Sequence, residues 1–182
     1  MKKIFLGLFL ALTFAPAFSQ IFIAETCTIS MFSATKMENI DATNAVTKPV
    51  FNCSSGEIVF KVTNTSFKFK SQLMQDHFNE NYMESEKFPY CTFKGKFNDK
   101  LDCSTNGGDL ISVTGKLEVH GVEKDRTIDG TVKMKDGKMT VHSKFKVKLA
   151  DHNIKVPSVV GTNIAEDIEI TIDAVFIPYV KN

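Results

Sequence analysis

His77 stands beside Asp76, and Asp76, Glu80 and Glu84 recur at i, i+4 and i+8. On a helix that spacing puts all three carboxylates on one face. An imidazole among carboxylates has the ingredients of an acid–base pair or a metal site, with His77 and Glu80 as the acid and base of an enzyme. The pattern is not H-E-x-x-H, because Phe78 follows His77 and no second histidine lies four residues on. Carboxylates at this spacing read more simply as a solvated helix face, with His77 and Asn79 hydrogen-bonding the corner between helix and strand. His120, next to Gly121, reads as a donor that stabilises a turn, and His142 falls on the outward parity of a strand. Ser85 lacks a G-x-S-x-G elbow. Gly107-Gly108 marks a turn and does not open a helix, so no phosphate loop is expected. The residues therefore predict a non-enzyme, with no catalytic group, no metal and no cofactor.

Cys27, Cys53, Cys91 and Cys103 are spaced by 26, 38 and 12 residues. No C-x-x-C pair is present, so neither a zinc site nor a redox motif is indicated. An even count in an exported chain points to two disulfides, with three pairings open. The other reading is that Cys27 and Cys91 are buried thiols, since each lies on the apolar parity of its strand. Asn52-Cys53-Ser54 and Asn64-Thr65-Ser66 match the glycosylation pattern, which matters only in a eukaryotic secretory route.

The elements that must position these residues are mostly strands. Ile111 to Val119, Met139 to Leu149 and Ile168 to Phe176 alternate apolar and polar residues with period 2. Asp136-Gly137 favours a two-residue hairpin loop. Counting outward from it sets Met134 against Met139, Val132 against Val141 and Ile128 against Phe145, every pair apolar on one face. Ser54-Ser55-Gly56, Asn106 to Asp109 and His120-Gly121 are further turns, so consecutive strands should be antiparallel. Ser71 to Tyr82 breaks the pattern. Leu73, Met74, Phe78 and Tyr82 make a helical stripe behind a Ser71 N-cap. Asp151 to Thr162, with Pro157 and Gly161, reads as an irregular link before the last strand.

One short helix cannot cover about eight strands. An all-β sandwich or barrel remains. Phenylalanine recurs on the inward parity together with Gly95, Gly115 and Gly130. Large rings mixed with glycine suit either a ligand cavity or a solid, bent wall. Both stay open at this point. The outward run Lys144, Lys146 and Lys148, with Lys138, reads as a solvated strip or as a docking surface for anionic lipid or a partner.

The chain has 182 residues, 43% hydrophobic and 24% charged, which excludes wholesale disorder. A net charge of +1 gives no support to a nucleic-acid binder. Lys2 and Lys3, an apolar run from Ile4 to Phe14, and small residues at Ala17 and Ser19 read as an export signal cut after Ser19. The run is 11 residues long, short of the ~20 a membrane-spanning helix needs. Residues 1–19 are thus expected to be a signal peptide and 20–182 one domain, in the periplasm or secreted.

Leu73-Met74-Gln75-Asp76-His77-Phe78-Asn79-Glu80-Asn81-Tyr82-Met83-Glu84-Ser85, followed by Lys87-Phe88-Pro89 and Phe93-Lys94-Gly95, resembles the YceI-like family. Gly115 to Val122, with Glu118-Val119-His120-Gly121 at its centre, resembles the family's second hallmark. Leu149-Ala150-Asp151-His152-Asn153-Ile154 through Pro157 resembles its third, with His152 where tyrosine is commoner. The resemblance spans about residues 21–179. It implies an extended eight-stranded antiparallel lipocalin-like barrel with one short helix. Some members hold a polyisoprenoid or quinone-type lipid inside. The expectation is then an exported lipid-binding protein for transport or storage, touching membranes peripherally, with oligomeric state open and a homodimer among the options. Phe60, Phe93, Phe97, Val113, Leu117, Val132, Phe145 and Ile170 are the residues expected to line the tube. The alternative is a solid barrel acting as an interaction module of the cell envelope.

Overall fold

A computed structural model describes residues 21–34, 39–155 and 165–180. The expected signal peptide, and Pro157 and Gly161 of the irregular link, lie outside the described residues. The strands are β1 (Ile21–Ser33), β2 (Ile40–Asn44), β3 (Val50–Asn52), β4 (Glu57–Thr63), β5 (Lys68–Phe69), β6 (Tyr90–Phe97), β7 (Gly107–Val119), β8 (Val122–Lys135), β9 (Lys138–Lys148) and β10 (Asp167–Pro178). They run β10-β9-β8-β7-β6-β4-β3-β1, and β10 pairs with β1 to close the ring. β2 and β5 extend β3 and β4 past a break in each, so ten ladder segments make an eight-stranded antiparallel barrel.

Two fully buried asparagines hold the breaks. Asn44 Oδ1 accepts from Val46 N, Thr47 N and Thr47 Oγ1, while its Nδ2 donates to Thr63 O. Asn64 Nδ2 donates to Phe88 O, and its Oδ1 accepts from Cys91 Sγ. Each supplies hydrogen bonds where the strand ladder cannot, which a buried amide requires. Asn64 is therefore committed inward and is not a glycan acceptor in the folded state.

Asp136-Gly137 forms the expected hairpin, with Asp136 at φ 51° and Gly137 at φ 76°. Met134 faces Met139 and Val132 faces Val141, as the register count requires. The ladder ends at Gly130–Ser143, so Ile128 and Phe145 are not a ladder pair. Six residue pairs join β8 to β9, against thirteen between β7 and β8 and ten between β9 and β10. Beyond Gly130 three side chains bridge the seam, the first of them Ser143, whose Oγ donates to Asp129 O. Arg126, the only arginine, donates from Nη2 to Lys146 O, and the His152 ring bonds Val122 O at 2.9 Å.

The barrel is solid at the end that carries the Asp136-Gly137 hairpin. Phe51 lies 6.3 Å from Phe22 and 4.9 Å from Phe97, ring centre to ring centre. Val132, Met134, Met139 and Phe176 fill the rest. Cys53 and Cys103 form a disulfide that closes 50 residues of chain. Cys27 and Cys91 are free, in line with the buried-thiol reading and against a second bridge.

Candidate functional site: an apolar cavity at the helical end

The other half of the barrel is hollow. Its cavity of about 530 Å³ lies within the range of small-molecule pockets, ~300–1,000 Å³. The wall alternates in and out as strands must, so alternate residues in the helical-end half of β4, β6, β7, β9 and β10 reach it. Of the eight residues expected to line a tube, Phe60, Phe93, Val113, Leu117, Phe145 and Ile170 do. Phe97 and Val132 do not; they belong to the packed end, because the interior is filled over the half nearest the Asp136-Gly137 turn.

The inward glycines do not make this space. A methyl on Gly115 would lie 2.2 Å from Lys94 O and 2.4 Å from Gly95 Cα, and one on Gly95 would strike Phe93 and Val113 at 2.7 Å. Gly95 and Gly115 face each other across β6 and β7. Their missing side chains let the wall bend and let Phe93 and Val113 fold across it.

The mouth carries α1 (Gln72–His77), which runs on into a π-helical turn over Phe78–Tyr82. Ser71 caps it as expected, accepting from Met74 N at 3.4 Å. Phe78 anchors the segment between Phe67 at 5.7 Å and Phe69 at 5.0 Å. Leu73, Met74, His77, Phe78, Tyr82 and Met83 all join the cavity wall. Their apolar stripe is legible in the residues, but their place in the site is not. The available signal was that so short a helix has to lay its stripe on something.

Asn79 holds the corner as expected, donating from Nδ2 to Gln75 O and accepting from Ser85 Oγ. His77 takes no part in holding it. The His77 ring has no hydrogen-bond partner among the described residues and faces the cavity. His120 does more than stabilise a turn. Its Nε2 lies 2.7 Å from Glu84 Oε2 and its Nδ1 3.3 Å from His152 O. Glu84, His120 and His152 come from the three hallmark stretches, so these stretches meet at one corner beside the mouth. His142 is exposed as expected and bonds Asp173 at 2.7 Å. The lysine strip is partly neutralised, with Lys144 on Glu169 and Lys138 on Glu25.

Burial sets the state of two groups in or near the wall. Desolvation pushes the Cys91 thiol up to about 12. The Tyr82 hydroxyl is raised above its usual value by the same cause, so it stays a neutral donor.

A hollow barrel with three hallmark stretches converging at its mouth can be compared with known proteins. The family model for the YceI-like domain matches residues 13–176. The chain belongs to the YceI-like family. A polyisoprenoid-binding domain from Saccharophagus degradans superposes with a TM-score of 0.75 at 12% identity, covering 87% of this chain and 98% of that one. BcnA of Burkholderia cenocepacia gives 0.65 at 19% identity, covering 82% and 95%. The YceI protein of Campylobacter jejuni gives 0.57 at 20% identity, covering 82% and 85%. At these identities the likeness of this YceI-like chain to them is one of fold. No curated protein matches it significantly.

Proposed function

We propose that this YceI-like barrel is an exported lipid-binding protein. It holds a long apolar ligand, of polyisoprenoid or quinone type, for transport or storage between membranes. The observation that carries this reading is the 530 Å³ apolar cavity, open at the helical end and closed at the other. Burying a hydrocarbon chain there removes apolar area from water at ~25 cal/mol per Å², without needing many polar contacts. That the Saccharophagus degradans domain is a polyisoprenoid-binding one supports the choice of ligand class. The role is binding rather than catalysis, and contact with membranes is peripheral. An interaction module built on a solid barrel fits less well, because the interior is half empty.

Mass spectrometry of an organic extract from natively purified protein is the test. The expected result is one apolar lipid recovered in stoichiometric amount. Protein that yields no lipid, and takes up none from vesicles, overturns the reading.

A further inference from the structure

Among the described residues, every polar side chain in the cavity wall except two is hydrogen-bonded within the protein. Asn64 and Cys91 bond each other, Thr92 bonds Glu118, and Ser143 donates to Asp129 O. Asp129 accepts from Ser112, and Ser33 accepts from Ala165 N. His77 and Tyr82 have no side-chain partner among the described residues. Both stand at the mouth, five residues apart on the segment that changes from α to π winding. In an α-helix, residues five apart point about 140° away from each other. The π-turn widens the coil, with Met83 N bonding Phe78 O across five residues at 2.8 Å, and this brings such pairs towards one face. The winding costs α-helical hydrogen bonding, and here it coincides with two polar side chains, His77 exposed and Tyr82 half-buried, that line the cavity mouth and bond no protein group among the described residues.

We propose that His77 and Tyr82 form the polar clamp for the ligand's head: an uncharged carbonyl or hydroxyl oxygen that remains at the mouth once the apolar chain has entered. This rests on the lipid-binding reading and adds the chemistry of the ligand's end. The packed end blocks passage, so a chain enters tail first and its head stops beside the helical segment. The Tyr82 hydroxyl and a His77 ring N–H supply donors to an acceptor oxygen. An anionic head does not suit the site. Residues 72–84 carry Asp76, Glu80 and Glu84 and no lysine or arginine, so a phosphate there meets carboxylates without a counter-charge on its own element.

The test uses one prenyl chain with three ends: a ketone, a methyl group and a phosphate. Displacement of a fluorescent apolar probe from the whole protein gives the three affinities. The ketone is expected to bind roughly tenfold more tightly than the methyl-ended chain, the worth of one or two neutral hydrogen bonds. Tyr82→Phe and His77→Phe should each bring that ratio towards one, with circular dichroism and melting confirming the fold. A wild-type ratio of one, a ratio that survives both substitutions, or tightest binding of the phosphate overturns the clamp while leaving lipid binding intact. If no form displaces the probe and the probe itself does not bind, the lipid reading falls with it.

Discussion

Cys27 and Cys91 are the clearest case of a side chain whose chemistry is set by where it lies. Desolvation raises Cys27 to about 11 and Cys91 to about 12, from an ordinary value of 9.0. Both thiols therefore stay neutral and poorly nucleophilic in the folded protein. Native protein at neutral pH should react with a thiol reagent far more slowly than denatured protein, with two thiols appearing on unfolding. The sign of the pH effect follows. The folded state keeps protons that the unfolded chain releases first, so stability is full below pH 9.0 and falls as pH climbs through about 11–12. Melting curves of wild type and a Cys91→Ala variant across that range should converge, because the variant loses this site's share of the alkaline slope. Parity along the strands already placed these two cysteines inward. It could not show that Cys53 and Cys103 pair, because that depends on two loops meeting at the solid end.

Among the elements, β6 and β7 show how much of the wall depends on a missing atom. Gly115→Ala sets a methyl 2.2 Å from Lys94 O, a backbone atom that cannot step aside. We expect a loss of roughly 1–3 kcal/mol, the usual range for overpacking, read as a lower denaturation midpoint with unchanged slope. An effect near zero would mean that the strands open at that point without cost. The inward glycines left a bent wall and a cavity equally open in the sequence, and the close approach of β6 to β7 assigns Gly95 and Gly115 to the bend. Turn chemistry fixed the Asp136-Gly137 register, since Asp and Gly both accept positive φ there. The π-turn was not legible. Phe78-Asn79-Glu80-Asn81-Tyr82 has no residue that forbids α winding, and the contacts that hold Phe78 between Phe67 and Phe69 exist only in the folded chain. The corner of Glu84, His120 and His152 was hidden for a similar reason: its members are up to 68 residues apart and meet only when the barrel closes.

At the scale of the molecule, the two halves of the barrel should answer differently to substitution. Phe51 is fully buried in the packed half, and Phe51→Ala should cost about 3–5 kcal/mol. Ile170 faces the void, so Ile170→Trp adds bulk where space exists. It should change stability by about 1 kcal/mol or less while cutting lipid uptake roughly tenfold. Extraction and calorimetry on the same samples separate the two outcomes, and equal loss of stability in both variants would mean the interior is filled throughout. Inward parity along the strands could not show where the filled half ends, which is why Phe97 and Val132 joined the expected lining. Strand alternation tells which way a residue points, not how far along the axis the rings meet.

The seam between β8 and β9 gives the cylinder a place where girth is cheap. Along a full ladder widening the wall means parting a row of main-chain bonds, but past Gly130 it asks that Ser143 release Asp129 O, Arg126 release Lys146 O and His152 release Val122 O. If the barrel takes a guest thicker than the resting bore, spreading these two strands is the expected way to admit it, and the fully laddered parts of the hoop should keep their shape.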